Sequence, residues 1–270
     1  MRGPLPSTRE IYKNALNVAW PSAAESVLVS LVGSIDTMMV GGLGPVAIAA
    51  VGLTNQPKFV LLALIMSLNV GVTTVVARRK GQQNQEGAQK CLRVALMISF
   101  GLALILSTLG YLFAEPIMQF SGAQPDVMED SVAYFRIIMM GFVPMCIGLT
   151  INAAQRGVGN TRISMTTNMT SNIINLIFNY LLIHGKMGFP RLEVRGAALA
   201  TILGSTVACL LSIRSVLKAD TYLKLSIKDR WGMDRETLDS IWKISSSAVV
   251  EQMFMRFGFF TYVKVVANLG

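Results

Sequence analysis

ALNVAWPSAAESVLVSLVGSIDTMMV, from Ala15 to Val40, is a nearly continuous apolar stretch that contains two acidic residues, Glu25 and Asp36. It exceeds the roughly 20 residues that an α-helix needs to cross a membrane. An acidic side chain at the centre of a membrane helix costs roughly 2.5–3.5 kcal/mol, so such residues face protein or a water-filled cavity. We therefore interpret the stretch as a membrane-spanning helix and Asp36 as a candidate binding group.

The composition is that of an integral membrane protein. Of 270 residues, 52% are hydrophobic and 14% are charged, and the mean hydropathy is +0.52. Soluble domains carry about 25% charged residues. Apolar blocks long enough to span a bilayer predict an all-α polytopic membrane protein with six spans, at about 15–40, 57–77, 92–113, 132–154, 164–184 and 196–217.

A seventh apolar stretch begins near Leu238 and resembles the first. Glu25 is followed by Leu43-Gly44, and Glu251 is followed at the same distances by Leu269-Gly270. Such an echo is typical of transporters built from two parallel six-helix repeats. We therefore expect a second, missing lobe to pack against this one. The predicted units are an N-terminal six-helix lobe at 1–217, a cytoplasmic inter-lobe linker at 218–238 and the first helix of an incomplete second lobe at 239–270.

The formal charge of +9 is distributed unevenly among the connections. Arginines and lysines cluster before the first span and after the second, fourth and sixth, whereas the alternate loops hold only Lys58, Lys186, Arg191 and Arg195. By the positive-inside rule this predicts a multi-pass protein of the plasma (inner) membrane with a cytoplasmic N-terminus. We expect the lipid bilayer as a partner, and no nucleic acid.

Glu25 and Asp36 lie eleven residues apart on the first span. In an α-helix that spacing places both on one side, about 16 Å apart along the axis. Two acids on one face do not both point at lipid cheaply. Each either accepts hydrogen bonds from a neighbouring helix or binds a ligand. We favour ligand binding for Asp36 and keep both interpretations for Glu25, a possible cavity acid.

The fifth predicted span carries a stripe of asparagines on one helix face: Asn168, Asn172, Asn175 and Asn179. Buried amides that find partners across helices stabilise a bundle, and we prefer that role for the first two. Asn175 and Asn179 reach the depth of Asp36. Their carbonyl oxygens, the carboxylate and a hydroxyl such as Thr201 would provide hard oxygen ligands for a small cation. The same groups would equally hold a proton on Asp36.

The sequence shows no pattern typical of an enzyme. No Gly-rich phosphate loop follows a strand, and neither HExxH nor GxSxG occurs. We therefore expect no catalytic residues and no cofactor, with Na+ or H+ as a coupling ion.

Several segments together resemble the multidrug and toxic compound extrusion (MATE) family of transporters. VGGLGPVAIAAVGL from Val40 is similar to the family's first helix and turn, and NVGVTTVVARRKGQQNQEGAQK from Asn69 to its second helix and basic loop. AEPIMQFSGAQPDVMEDSVAYFRI from Ala114 and QRGVGNTR from Gln155 resemble later connections. The longest similar segment is NLIFNYLLIHGKMGFPRLEVRGAALAT, from Asn175 to Thr201. The resemblance covers essentially the whole chain.

The resemblance implies a twelve-helix fold of two lobes that alternates access to a central cavity. It also implies efflux of small-molecule drugs, either organic cations or amphipathic compounds, in exchange for Na+ or H+. The positions that match the family's coupling residues are Asp36, Asn152, Asn175, Asn179, Thr201 and the second-lobe acid Glu251. If the ion is sodium, the metal ligands would be Asp36, Asn175 and Asn179. Many members carry Asp where Asn179 stands, so this chain has one fewer possible negative charge.

We predict a cation-coupled multidrug antiporter, and two alternatives stay open. One is a lipid-linked saccharide flippase of related fold, although such relatives line the cavity with several cationic residues that these spans lack. The other is a non-transporting membrane fragment, since one lobe does not alternate access by itself.

Overall fold

The computed structural model of the chain describes residues 8–218, 221–225 and 231–269. Within those residues the secondary structure is helical and contains no strand, which confirms the predicted all-α class. The helices are α1 (Thr8–Gly41), α2 (Pro45–Gly81), α3 (Gln85–Leu112), α4 (Ala114–Phe120), α5 (Pro125–Met140), α6 (Phe142–Gly157), α7 (Thr161–His184), α8 (Glu193–Leu217) and α9 (Arg235–Leu269).

By length and composition, four stretches among the described residues qualify as membrane spans: Ala23–Gly41, Pro45–Gly81, Gln85–Leu112 and Glu193–Leu217. The pair α5 and α6 makes a fifth if it is one broken span, bent by 51° at Gly141. α7 is not among them, because its four asparagines lower its hydropathy. The asparagines that make α7 a candidate part of the site thus also lower its hydropathy below that of a typical membrane span.

The second span begins earlier than expected. Gly44, with φ 113°, precedes Pro45 at the start of α2, and the helix then continues through Pro57 to Gly81. The predicted start at 57 is wrong, because the preceding residues are apolar and Pro57 removes only one helical hydrogen bond. Lys58 therefore lies inside a helix, and its assignment to an outer loop is corrected.

α7 and α8 approach each other closely. A methyl group on Gly204 of α8 would lie 2.7 Å from the backbone oxygen of Ser171 and 3.2 Å from Cβ of Asn175. Glycine at such a position lets two helix backbones meet. The contact brings Thr201 of α8 beside the asparagine face of α7.

α9 packs against α2 and begins at a defined cap. Asp234 accepts hydrogen bonds from the backbone N–H of Thr237 (3.2 Å) and from its hydroxyl, and the Thr237 hydroxyl hydrogen bond lowers the pKa of Asp234. Arg79 of α2 donates to the same hydroxyl (2.8 Å). α9, which corresponds to the seventh apolar stretch of the sequence, thus begins at Arg235, a few residues before the predicted 239.

The predicted linker 218–238 falls partly outside the described residues. Its described part includes the buried Leu223 and Leu225, and the backbone N–H of Leu225 donates to Val216 of α8 (2.8 Å). The linker therefore touches the bundle at this point. The division of the chain into two lobes stays a prediction.

Candidate functional site

The two acids of α1 each meet an asparagine of α7. Asn168 donates its amide to Glu25, and Asn179 donates to Asp36. The asparagines are separated by the same eleven residues as the acids, so the two helices run side by side in the same direction. A helical repeat of three turns per eleven residues keeps both pairs in register.

Asp36 is the centre of a polar cluster between α1, α7 and α8. The amide of Asn179 donates to Asp36 and to Oδ1 of Asn175 (3.3 Å), and the Asn175 amide lies 3.3 Å from the Thr201 hydroxyl. A half-turn of the Asn175 amide satisfies its neighbours better. Its nitrogen then donates to both Asp36 oxygens (3.0 and 3.1 Å), and its oxygen accepts from the Thr201 hydroxyl and N–H.

Burial makes this cluster costly unless something binds there. Asn175 is 7% exposed and Asn179 1% exposed, and Asn179 Oδ1 has no hydrogen-bond partner among the described residues. An acceptor left unpaired in the protein interior costs about 1–3 kcal/mol. The orphan oxygen and the neighbouring carboxylate are both acceptors, so the group that satisfies them is a donor or a cation.

A cavity of about 310 Å³ opens onto Asp36 and Asn179. Its walls come from α1, α2, α5, α7 and α8, and combine polar groups with apolar ones. The lining residues are Gly33, Asp36, Thr37, Val40, Ile48, Val51, Gly52, Asn55, Lys58, Tyr134, Asn179, Ala197 and Thr201.

Lys58 and Tyr134 are among the lining residues that were not predicted as part of the site. Lys58 donates to Oδ1 of Asn55 (2.7 Å) and attracts Asp36 electrostatically. Tyr134, which is buried, lines the same cavity as Thr201. A signal for Lys58 was present in the sequence, since a lysine next to a proline in an apolar helix requires a partner.

The other candidate residues lie apart from Asp36. Asn152 of α6 is buried, and its side-chain oxygen accepts from Thr167 (3.2 Å) and Ser212 (3.1 Å), so it links α6 to α7 and α8. Glu251 is an exposed residue of α9 and does not line the cavity. Glu25 bonds Asn168 and likewise lies outside the lining. Their roles in coupling stay predictions.

The donor set at Asp36 suits a hard cation. It offers carboxylate oxygens, the unpaired carbonyl oxygen of Asn179 and the hydroxyl of Thr201, and oxygen ligands of this kind favour small cations such as alkali and alkaline-earth ions. The amide of Asn179, and that of Asn175 after its half-turn, donate hydrogen bonds to the Asp36 carboxylate. A carboxylate positioned in this way can bind an exchangeable Na+ or H+.

The chain is similar in sequence to known transporters. The sequence profile of the MatE family matches residues 21–181. A probable multidrug resistance protein NorM from Thermotoga maritima is 28% identical over 263 residues, which cover 97% of this chain and 56% of that protein. An FAD transporter from Shewanella oneidensis is 32% identical over 200 residues, covering 73% and 44%.

A similar solved structure is the crystal structure of MATE in complex with MaD3S. It superposes with a TM-score of 0.86 at 26% identity, over 96% of this chain and 57% of that one. The chain therefore spans about half the length of the relatives that it matches.

Proposed function

This chain belongs to the MatE family of multidrug and toxic compound extrusion transporters, and we propose that it takes part in cation-coupled efflux of drugs. The exported compounds are small organic cations or amphipathic molecules, and the coupling ion is Na+ or H+. The transporter works by alternating access, with a second lobe packed against the six-helix lobe. It lies in the plasma membrane as a multi-pass protein with its N-terminus in the cytoplasm.

The observation that carries the proposal is the unpaired oxygen of Asn179 beside the Asp36 carboxylate. Asp36 and Asn179 both line the same cavity, although the unpaired oxygen itself is buried, and the apolar Val40, Ile48 and Val51 form another part of the wall. A small cation satisfies the polar side, and an amphipathic molecule fits against the apolar side. One cavity thus has the chemistry for both the ion and the cargo.

The ion and the cargo exclude each other through charge. While Asp36 is ionised it attracts an organic cation, and once Na+ or H+ neutralises it that attraction is lost. Cation entry at Asp36 therefore favours release of the cargo, which is the requirement for exchange. Asn175, Asn179 and Thr201 hold the carboxylate in position for both partners.

Asp36→Asn tests the proposal in cells that lack their own efflux pumps. The substitution keeps the size of the side chain and removes its charge, so we expect drug resistance to fall to the level of cells without the transporter. Protein abundance in the membrane should stay unchanged. Thr74→Ala is the matched control, because Thr74 is exposed and its hydroxyl donates to Val70 of its own helix (2.8 Å). Full resistance in Asp36→Asn cells would contradict the proposal.

A lipid-linked saccharide flippase is the second candidate. Lys58 gives the cavity one cationic residue, which such a cargo would favour. Asp36 opposes that charge in the same cavity, so the lining residues provide no net positive field for a phosphate-linked cargo. A non-transporting membrane fragment would instead leave resistance unaffected by every substitution at the cavity.

A further inference from the structure

Asp36 and Lys58 are the charged residues among those lining the cavity. They project from different helices, α1 and α2, and each acts electrostatically on the other. The ion pairs within 4.0 Å among the described residues do not include this pair. The carboxylate and the ammonium therefore belong to residues that line one cavity, and they do not form an ion pair within 4.0 Å.

Lys58 is held on its own side of that cavity. Its ammonium donates to Oδ1 of Asn55 (2.7 Å), one helical turn earlier in α2, and lies 5.2 Å from the centre of the Phe59 ring. Both contacts are available to a lysine that turns away from Asp36. A lysine side chain is a flexible four-carbon stem that carries a compact charge, so it can move between two such positions.

We propose that Lys58 is an internal counter-cation that neutralises Asp36 while the coupling cation is absent and competes with that cation for the carboxylate. This inference rests on the proposed function, because it takes Asp36 as the cation-binding acid. Lys58 thus acts on the ion as a specificity-determining residue of the cavity. It is not itself a ligand of the ion.

The charge balance of the cavity supports this competition. With Asp36 ionised and Lys58 protonated, the charges of the lining sum to zero, and an arriving Na+ makes the sum positive. Like charges a few ångströms apart in a partly desolvated site repel by an amount that weakens binding about tenfold or more. Cation binding therefore requires the ammonium to stay at Asn55 and Phe59, where the structure has it, and not to approach Asp36. Removing the lysine charge removes this cost.

The lysine also provides a counter-charge for Asp36 when no coupling cation is bound. A buried charge that loses its partner is strongly destabilising. A tethered ammonium keeps the ion-free cavity neutral and allows the ion to leave. We expect the ion to bind more weakly, and to exchange faster, than it would at Asp36 alone.

Thermal unfolding of the purified protein in detergent tests the pairing in sodium-free buffer. The variants are Lys58→Met, Asp36→Asn and the double substitution, compared as a double-mutant cycle. We expect Lys58→Met to lower Tm and the double variant to recover part of that loss, because the uncompensated carboxylate is then gone. Strictly additive changes in Tm would overturn the pairing, whatever ion the transporter uses.

Sodium titration of the same samples tests the competition. The concentration of Na+ that gives half of the stabilisation should be about tenfold lower in Lys58→Met than in the unsubstituted protein. Lys58→Arg keeps the charge and should not shift this midpoint. Lys186→Met should not shift it either, since Lys186 is exposed and lies outside the cavity. An unchanged midpoint in Lys58→Met would overturn the inference.

The same data separate this inference from the proposed function. If sodium still stabilises Asp36→Asn, Asp36 is not the sodium-binding acid. The double-mutant cycle in sodium-free buffer would then still test whether Lys58 and Asp36 interact. Stabilisation lost in Asp36→Asn but unshifted in Lys58→Met would refute the competition alone. If sodium stabilises none of the samples, the coupling ion is not sodium. The double-mutant cycle in sodium-free buffer then tests whether Lys58 and Asp36 are paired.

Discussion

The neighbours of Asp36 donate hydrogen bonds to its carboxylate but leave one acceptor of the cluster, Oδ1 of Asn179, without a partner among the described residues. Asn179 donates a hydrogen bond to the carboxylate and keeps its own carbonyl oxygen free. A structural asparagine would normally use both ends of its amide, as buried polar groups do. Burial of the unpaired oxygen and a place in the cavity wall distinguish this pair from the half-buried Asn168 and Glu25, for which a packing role remains sufficient.

Asn179→Leu should abolish the cation response. The substitution keeps similar volume but removes both the donor to Asp36 and the free oxygen, so we expect affinity for the coupling cation to fall at least about tenfold. Asn179→Asp adds a carboxylate and should raise affinity. Isothermal titration calorimetry with NaCl, or measurement of the protons released on cation binding, gives the cation affinity of each variant. Equal affinities in all three proteins would show that Asn179 does not contribute to the site.

The proximity of Asp36, Asn175, Asn179 and Thr201 could be anticipated from sequence. Helical spacing places the polar residues of each segment on one face, and neighbouring helices in a membrane turn such faces toward each other. That these residues bind the cation stays a prediction. Lys58 could not be placed in the same way, because proline is read as a helix boundary and a lysine beside it as a loop residue.

At the scale of helices, the site depends on the closeness of α7 and α8. Thr201 reaches Asn175 because Gly204, one turn further along α8, lets that helix approach Ser171. In membranes, where lipid tails are as apolar as leucine, such packing replaces the hydrophobic effect as the main attraction between helices. The geometry of the polar cluster therefore depends on the close helix packing at Gly204.

Gly204→Ala should destabilise the bundle and weaken the site together. The added methyl group would lie 2.7 Å from Ser171 O, so the helices must separate. Overpacking of this kind costs about 1–3 kcal/mol, and we expect Tm and cation affinity both to fall. Gly101→Ala is the control, because nothing lies within 4 Å of the position. It should leave Tm unchanged or raise it, and a fall equal to that of Gly204→Ala would contradict the packing argument.

Helix existence was more predictable than helix ends. The predicted end of the fifth span at 184 agrees with α7, whose last residue is His184, because Gly185 adopts the left-handed conformation (φ 64°) that ends helices. The fourth span was predicted as one helix, and the structure bends it by 51° at Gly141. A hydropathy pattern does not reveal such a bend, because the residues on both sides of Gly141 are apolar. The short α4 was likewise expected as part of a loop.

At the scale of the whole molecule, the fold places two acids of one helix against two asparagines of another. The pattern repeats after eleven residues, but only the pair at Asp36 borders the cavity. The chain spans about half the length of its relatives, so the cavity's remaining walls are assigned to a second lobe only by proposal. Charge distribution among the loops predicts which end faces the cytoplasm.

Gradient-driven drug transport in proteoliposomes tests the central claim most directly. Vesicles carrying the transporter are loaded with a fluorescent organic cation, and a gradient of Na+ or H+ is then imposed. We predict that one of these gradients drives the cation across the membrane, and that Asp36→Asn abolishes this dependence while the protein remains folded. Gradient-driven transport at an equal rate by Asp36→Asn would contradict the account.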